Sequence, residues 1–117
     1  ALEYRVTDAT ALEADGTFWL LNYYYPGDRR LGAVVDPLAA EYGLGPTHAA
    51  NAQVERLVAV RWHDGTLRRV ARSPLWFELD ETREPRNWEG VARWPGHGFI
   101  VVTDRFPETI LALVPAP

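Results

Sequence analysis

Apolar and polar positions along most of the chain follow the alternation that is typical of β-strands. Two stretches, "FWLLNYYYP" at 18–26 and "FIVVTDRFP" at 99–107, lie 81 positions apart. Each begins with Phe after a turn that contains Gly, stays apolar for four residues, becomes polar and stops at Pro. We therefore interpret the two stretches as the same strand in two successive units of a β repeat.

The remaining strands complete two units of unequal size. The first unit is predicted to have four strands, at 8–14, 17–25, 53–62 and 66–79, with Asp-Gly turns before the second and fourth. The second unit is predicted to have three, at 88–94, 98–106 and 109–114, and the N-terminal strand 2–7 could supply its fourth. The run 17–25 is apolar on both alternating sets, which predicts a strand that is covered on both faces.

A long segment, 26–51, interrupts the first unit. It is rich in Gly, Pro and Ala, and we expect an excursion loop with one helical turn at 37–42. Loops of this length in compact domains are usually functional or cover another part of the protein.

Four-stranded repeat units of this kind predict an all-β fold built of β-propeller blades. Blade one would span 8–79 and blade two 88–114, in a single propeller segment, 1–117. Because a propeller needs at least about four blades, the others would come from partner chains or from missing upstream sequence. Three copies of a two-bladed chain would make six blades. The alternative is one small β-barrel or sandwich whose self-similarity is accidental.

Composition excludes several functional classes. The net charge of −4 argues against a nucleic-acid partner, and no apolar stretch is long enough to predict a membrane span. The chain has no Cys, which excludes disulfides, thiol catalysis and thiolate metal sites. It also has no Met, even at position 1, so we expect a processed or excised form from which a signal peptide could have been removed.

The motif "NWEG" at 87–90, followed by "GFIVVTDRFPETILALVP" at 98–115, resembles the phytase-like β-propeller family that is described as "esterase-like activity of phytase". The segments "DATALEADGTFWLLNYYYPGD" at 8–28 and "DPLAAEYGLGPTHAANAQVERLV" at 36–58 are also similar to blades of that group. The resemblance covers about the last third of a typical member. It implies the C-terminal blades of a secreted or periplasmic bacterial hydrolase that acts on phosphoesters or other esters.

Polar residues at the ends of inner propeller strands would converge at the mouth of the central channel. On this reasoning Glu89 and Asp104 are the leading candidates for catalysis or metal binding, with Asp8 as a further metal ligand and Asn22 as a ligand-binding residue. Carboxylate and amide oxygens suit a hard cation, so Ca²⁺ is the expected cofactor. The alternative is that Asp104 and Asn22 hydrogen-bond turns between strands.

Two further residues could reach the same mouth. His48 lies in the long loop and could act there as an acid, a base or a ligand, and Arg105 could bind an anion or pair with a neighbouring carboxylate. Three widely spaced histidines do not form a zinc pattern. Two functions therefore stay open: metal-assisted hydrolysis at the channel mouth, and a non-catalytic propeller module that binds a small molecule or a protein partner on its rim.

Overall fold

A computed structural model describes residues 2–32, 35–78, 86–105 and 108–116, apart from the side chain of residue 31. The chain is mostly β, with short helices in the long loop. The strands of the described residues are β1 (Arg5–Ala9), β2 (Thr17–Tyr24), β3 (Val54–His63), β4 (Thr66–Arg69), β5 (Leu75–Trp76), β6 (Trp88–Trp94), β7 (Gly98–Thr103) and β8 (Leu111–Pro115). The helices are a 3₁₀ turn (Arg29–Leu31), α1 (Pro37–Tyr42) and α2 (Pro46–Asn51).

The first sheet is an antiparallel meander in the order β1-β2-β3-β4, and β5 pairs with β3 on the same edge as β4. The Asp64-Gly65 turn joins β3 to β4, and both of its residues have positive φ, as a tight hairpin turn requires. The second sheet is a three-stranded antiparallel meander in the order β6-β7-β8. Each of the two repeated stretches therefore forms the second strand of a meander.

The two sheets pack against each other around one apolar core. The faces that meet are called the inner faces here, and the opposite faces are called the outer faces. The core contains Trp19, Leu21, Leu57 and Ala59 of the first sheet, Trp88, Phe99 and Val101 of the second sheet, and Phe77. The rings of Trp19 and Phe99 meet edge to face, with their centroids 4.9 Å apart, which is a favoured aromatic geometry.

The internal repeat extends to the pairing register. Val6 lies opposite Asn22 in the first sheet, and Trp88 lies opposite Thr103 in the second, at equivalent positions of the two meanders. Immediately after Val6 and after Trp88 the register shifts by one residue, which is a β-bulge at Thr7 and at Glu89. The same irregularity at the same place in both first strands indicates that the two units are related by more than hydrophobic pattern.

The broad prediction of a β fold is confirmed, since the structure consists of two antiparallel sheets. The described residues form neither a closed barrel nor a complete propeller, so the assignment of blades stays a prediction. The sequence predicted that β2 is covered on both faces, and none of its residues is exposed in the structure. The predicted helical turn at 37–42 is present as α1, whereas α2 was not predicted.

Three predictions about the strands were wrong, and two more strands differ at their ends: β7 stops at Thr103 where an end at 106 was expected, a position outside the described residues, and β8 spans Leu111–Pro115 where 109–114 was expected. The N-terminal strand is β1, which pairs with β2 in the first sheet and therefore does not complete the second. Residues 10–16 form a connection where the strand 8–14 was expected, because the Thr10 side chain accepts a hydrogen bond from the Trp19 N–H and β1 ends before it. The predicted strand 66–79 is split into β4 and β5 before Pro74, which has no N–H to donate to a ladder.

Candidate functional site

Most of the candidate residues lie at one end of the two sheets. At this end β1 and β6 begin, β2 and β7 finish, and the long connection 25–53 leaves and returns. We call it the excursion end. At the opposite end lie the β3–β4 hairpin turn and the β6–β7 turn, which contain His63 and His97.

Glu89 and Asp104 are joined at the excursion end through Asn87. The Asn87 side-chain Nδ2 donates to Glu89 Oε1 at 2.5 Å, and the Asn87 carbonyl oxygen accepts from the Asp104 N–H at 3.3 Å. Both acidic side chains are exposed, and Glu89 is the bulge residue of β6, where a bulge can re-aim a side chain. These two carboxylates can therefore meet a cation or a polar ligand from solvent, with Arg105 exposed next to Asp104.

Asp8 connects the two first strands. Its Oδ2 accepts a hydrogen bond from the Val91 N–H of β6 at 2.8 Å, so the carboxylate links the two sheets where β1 and β6 run close together. Within the described part of the chain, no group of three or more His, Asp or Glu side chains is placed to hold a metal ion. Glu89 and Asp104 have the oxygen chemistry that Ca²⁺ prefers, but they fit it only as part of a larger ligand set.

Asn22 is fully buried, and its amide is used within the protein. Its Nδ2 donates to the carbonyl oxygens of Glu3 at 2.9 Å and Arg5 at 3.0 Å, and its Oδ1 accepts from Arg56 Nε at 2.6 Å. These contacts fix the entry into β1. They agree with the alternative that this amide holds the backbone, and its contact with a ligand stays a prediction.

Arg56 is the centre of a buried cluster that sequence analysis missed. Its guanidinium is fully buried and binds Asp36 through two contacts, Nη1 to Oδ2 at 2.7 Å and Nη2 to Oδ1 at 3.2 Å. The rings of Tyr4 and Trp76 flank it, with centroids 5.5 and 5.2 Å from the guanidinium carbon. We call Asn22, Asp36, Arg56, Tyr4 and Trp76 the Arg56 cluster. The available signal was the charged pair Glu55-Arg56 inside the otherwise apolar run 54–60 of β3.

His48 lies beside the Arg56 cluster. On α2, its ring packs edge-on against Tyr4, with centroids 6.3 Å apart, and lies 6.5 Å from Trp76. Burial lowers the pKa of His48, an effect that Asp36 opposes, so its surroundings favour the neutral imidazole. Its Nδ1 is buried and has no hydrogen-bond partner among the described residues. The structure thus places His48 among aromatic rings, and its role as an acid, a base or a ligand stays a prediction.

A second buried acid, Glu55, holds the start of β6. Glu55 is 1% exposed, and its carboxylate accepts from Trp88 Nε1 at 3.0 Å and from the Arg86 N–H at 3.1 Å. Tyr23 is the cross-strand partner of Glu55, and burial, followed by the Glu55 charge, raises the pKa of Tyr23 to about 12. Because Trp88 directly precedes Glu89, these contacts fix the strand that presents Glu89.

The chain was compared with known proteins and searched for membrane spans. None of the described helices is long and apolar enough to cross a membrane. Comparisons with protein-family models, with curated proteins and with solved structures found no match.

Proposed function

We propose that this chain supplies two neighbouring blades of a β-propeller and acts at its excursion end, in metal-assisted hydrolysis of phosphoesters or other esters. One observation carries the proposal: the two first strands lie side by side, joined by the Asp8–Val91 hydrogen bond, and bear bulges at equivalent positions. In a propeller the first strand of each blade lines the central channel. This arrangement would therefore direct Glu89 towards the mouth of a channel.

The resemblance to phytase-like propellers supports the class of reaction. The "NWEG" motif contains both Glu89 and Asn87, and Asn87 is the residue that links Glu89 to Asp104. A hard cation such as Ca²⁺, held by Glu89 and Asp104 together with oxygens from further blades, would polarise the ester and activate water. Within this chain, Asn87 holds the Glu89 carboxylate through its side chain and the Asp104 backbone through its carbonyl oxygen, and Glu55 fixes the start of the strand that presents Glu89. By the same resemblance the protein would be secreted or periplasmic.

Hydrolysis assays on carboxamide variants test this proposal. The wild type is assayed against p-nitrophenyl phosphate, p-nitrophenyl acetate and phytate, with Ca²⁺ or with EDTA. We expect Glu89→Gln and Asp104→Asn to lower the rate at least about tenfold, because each removes one charged oxygen ligand. Asp64→Asn is the matched control, since this exposed carboxylate lies in the hairpin turn at the opposite end.

Two results would contradict the proposal. The first is a wild type that is inactive on the whole panel with Ca²⁺ present, when it is assayed in an assembly that supplies the further blades. The second is full activity in both carboxamide variants. Circular dichroism and thermal unfolding of each variant show whether a loss of activity comes from the site or from unfolding of the protein.

A second candidate function is non-catalytic binding on the rim of the excursion end. Tyr25 is 48% exposed and, with Gly27, Asp28, Arg29 and Arg30, lines an open groove there. An exposed aromatic ring beside charged groups suits a flat polar ligand such as a sugar. Under this function Tyr25→Ala abolishes sugar binding in calorimetry and Glu89→Gln does not, whereas hydrolysis predicts an effect of Glu89→Gln.

A further inference from the structure

The outer face of the second sheet is apolar and largely uncovered. Leu111 and Leu113 of β8 are 73% and 51% exposed, and Trp94 of β6 is 45% exposed. Ile100 and Val102 lie between them on β7, directly opposite Leu113 and Leu111 in the register. An uncharged patch of this kind on a sheet marks a surface at which another protein binds.

The pairing register shows that this face is equivalent to the inner face of the first sheet, which is packed in the core. Phe18 and Phe99 are equivalent, so Ile100 corresponds to Trp19 and Val102 to Leu21. Their cross-strand partners then correspond as well, Leu113 to Ala59 and Leu111 to Leu57. The four residues of the first sheet, Trp19, Leu21, Leu57 and Ala59, are core residues whose exposed fraction is 4% or less.

The outer face of the second sheet is therefore the repeat equivalent of the inner face of the first. On the first sheet, the Trp19 face packs against a neighbouring sheet through Phe99 and Val101. The equivalent face on the second sheet has large apolar side chains at all four corresponding positions, but no sheet among the described residues packs on it. What it lacks is a sheet with apolar residues at the positions of Phe99 and Val101.

The same chain carries such a sheet face. By the same register, Phe18 corresponds to Phe99, Leu20 to Val101, Ala9 to Val91 and Val6 to Trp88. All four side chains lie on the outer face of the first sheet, where Val6 is 46% exposed and Phe18 and Leu20 are partly exposed. The neighbouring part of this face is already covered, since Val58 and Val60 of β3 are 3% exposed and Asn22 of β2 is fully buried. The open part on β1 and β2 is therefore limited to the side chains of Val6, Ala9, Phe18 and Leu20.

We propose that a second copy of this chain docks here, with the outer face of its first sheet on the outer face of the second sheet. The new interface repeats the part of the internal interface that lies along β1 and β2, with Ile100 of one copy against Phe18 of the next. Such head-to-tail contacts use two different surfaces, and they close into a ring or extend as a filament. The inference rests on the repeat register and not on the proposed hydrolysis.

Mixing two single-face variants tests the proposal. Leu113→Glu places a charge on the second-sheet face, and Val6→Glu places one on the first-sheet face. Both residues are about half exposed, so the folded monomer should tolerate either change. Leu12→Glu is the matched control, because Leu12 is 58% exposed in the β1–β2 connection, away from both faces.

Native mass spectrometry from about 1 to 100 µM gives the readout. The wild type and Leu12→Glu should form oligomers, and each face variant alone should stay at 13.2 kDa. An equimolar mixture of the two face variants should form a heterodimer that grows no further, because one intact interface remains. Circular dichroism checks folding, and Leu111→Glu replaces Leu113→Glu if the latter does not fold.

Three outcomes would overturn the proposal. A wild type that stays monomeric up to 100 µM would show that a second copy of the chain does not bind the outer face of the second sheet. Loss of oligomers in Leu113→Glu with none lost in Val6→Glu would show a symmetric contact between two second-sheet faces. A mixture without heterodimer would exclude head-to-tail docking. None of these outcomes changes what the hydrolysis assay measures, so the two proposals fail separately.

Discussion

The buried pair between Arg56 and Asp36 gives a sharp prediction about stability. We expect Asp36→Asn to destabilise the protein strongly, although the change alters only one group. Asp36 has a second role, since its Oδ1 accepts from the Leu38 N–H as the N-cap of α1. Asn is as good an N-cap as Asp, so this substitution removes the charge and preserves the cap.

The magnitude follows from burial. The Arg56 side chain is 0% exposed and that of Asp36 is 5% exposed, so the guanidinium has no access to water when its counter-ion is lost. Removing one partner of such a pair typically costs about 3–5 kcal/mol. For a chain of this length, that corresponds to a fall of roughly 12–20 °C in the melting temperature, at about 4 °C per kcal/mol.

Urea denaturation followed by circular dichroism measures this loss. A double-mutant cycle adds Arg56→Met, and the Asp36→Asn/Arg56→Met protein should be more stable than the sum of the single losses by at least about 2 kcal/mol. Glu41→Gln is the matched control, because the Glu41–Arg69 pair joins α1 to the same sheet but is 47% and 34% exposed, and should cost less than about 1 kcal/mol. If Asp36→Asn lost no more than Glu41→Gln, the reasoning from burial would be refuted.

Three further predictions concern single residues. Because the pKa of Tyr23 is raised to about 12, its contribution to stability is present below about pH 10 and is lost as the pH rises towards 12; a pH–stability profile in which Tyr23→Phe matches the wild type would exclude this. Gly98 has φ +142°, and a Cβ there would collide with a main-chain carbonyl of β8, so Gly98→Ala should cost more than about 3 kcal/mol. Gly43→Ala, at φ +81° in open space, should cost only about 1–2 kcal/mol, and equal losses in thermal unfolding would contradict this reading. Glu55→Gln weakens the acceptor of Trp88 Nε1 and should cost about 1.5–3 kcal/mol, with an upfield shift of the Trp88 indole proton; an unmoved resonance would count against the hydrogen bond.

Strands with strong local signals were predictable from the sequence. The range of β6 was predicted as it stands, and β2 and β3 were predicted to within one residue at each end, since Gly-containing turns flank them. Helix α2 could not be predicted, because "PTHAAN" is too short to show a helical periodicity. Its contacts are with residues far away in the sequence, such as those of His48 with Tyr4 and Trp76. The pairing of the N-terminal strand could not be predicted either, because it could have joined an edge of either sheet. Tertiary contacts, such as the hydrogen bonds of Asn22 to Glu3 and Arg5, place it in the first sheet.

The candidate site was predictable only where chemistry is local. Glu89 and Asp104 could be chosen because each lies at a boundary of an apolar run, and the structure brings both to Asn87. The bond between Arg56 and Asp36 spans 20 positions, and no spacing rule connects a strand with a loop residue. The alternation of apolar and polar residues would predict that a charged strand residue such as Arg56 faces water. In the structure Arg56 is buried, and Asp36 is the residue that balances its charge.

A comparison of the two units explains why only the first needs this buried pair. The register that matches Asn22 to Thr103 also matches Arg56 to Ile110, an apolar residue that packs at the edge of the core. The second unit connects its equivalent strands through residues 104–110, which contain no helix among those described, whereas the first uses residues 25–53.

Arg56 therefore occurs where a long connection must be held over the sheet, and Asp36 binds it from the first residue before α1. The energetic cost of burying two charges is offset by the attraction and the hydrogen bonds between them, and the pair holds the start of α1 in place. It follows that Asp36→Asn should loosen α1 before it unfolds the sheets. Hydrogen exchange should show a larger acceleration at Ala40 and Gly43, whose N–H groups bond within the helix, than at Leu21 in β2, where only the global loss of stability accelerates exchange. Equal acceleration at all three amides would show instead that the pair acts only through the stability of the whole domain and does not fix α1 separately.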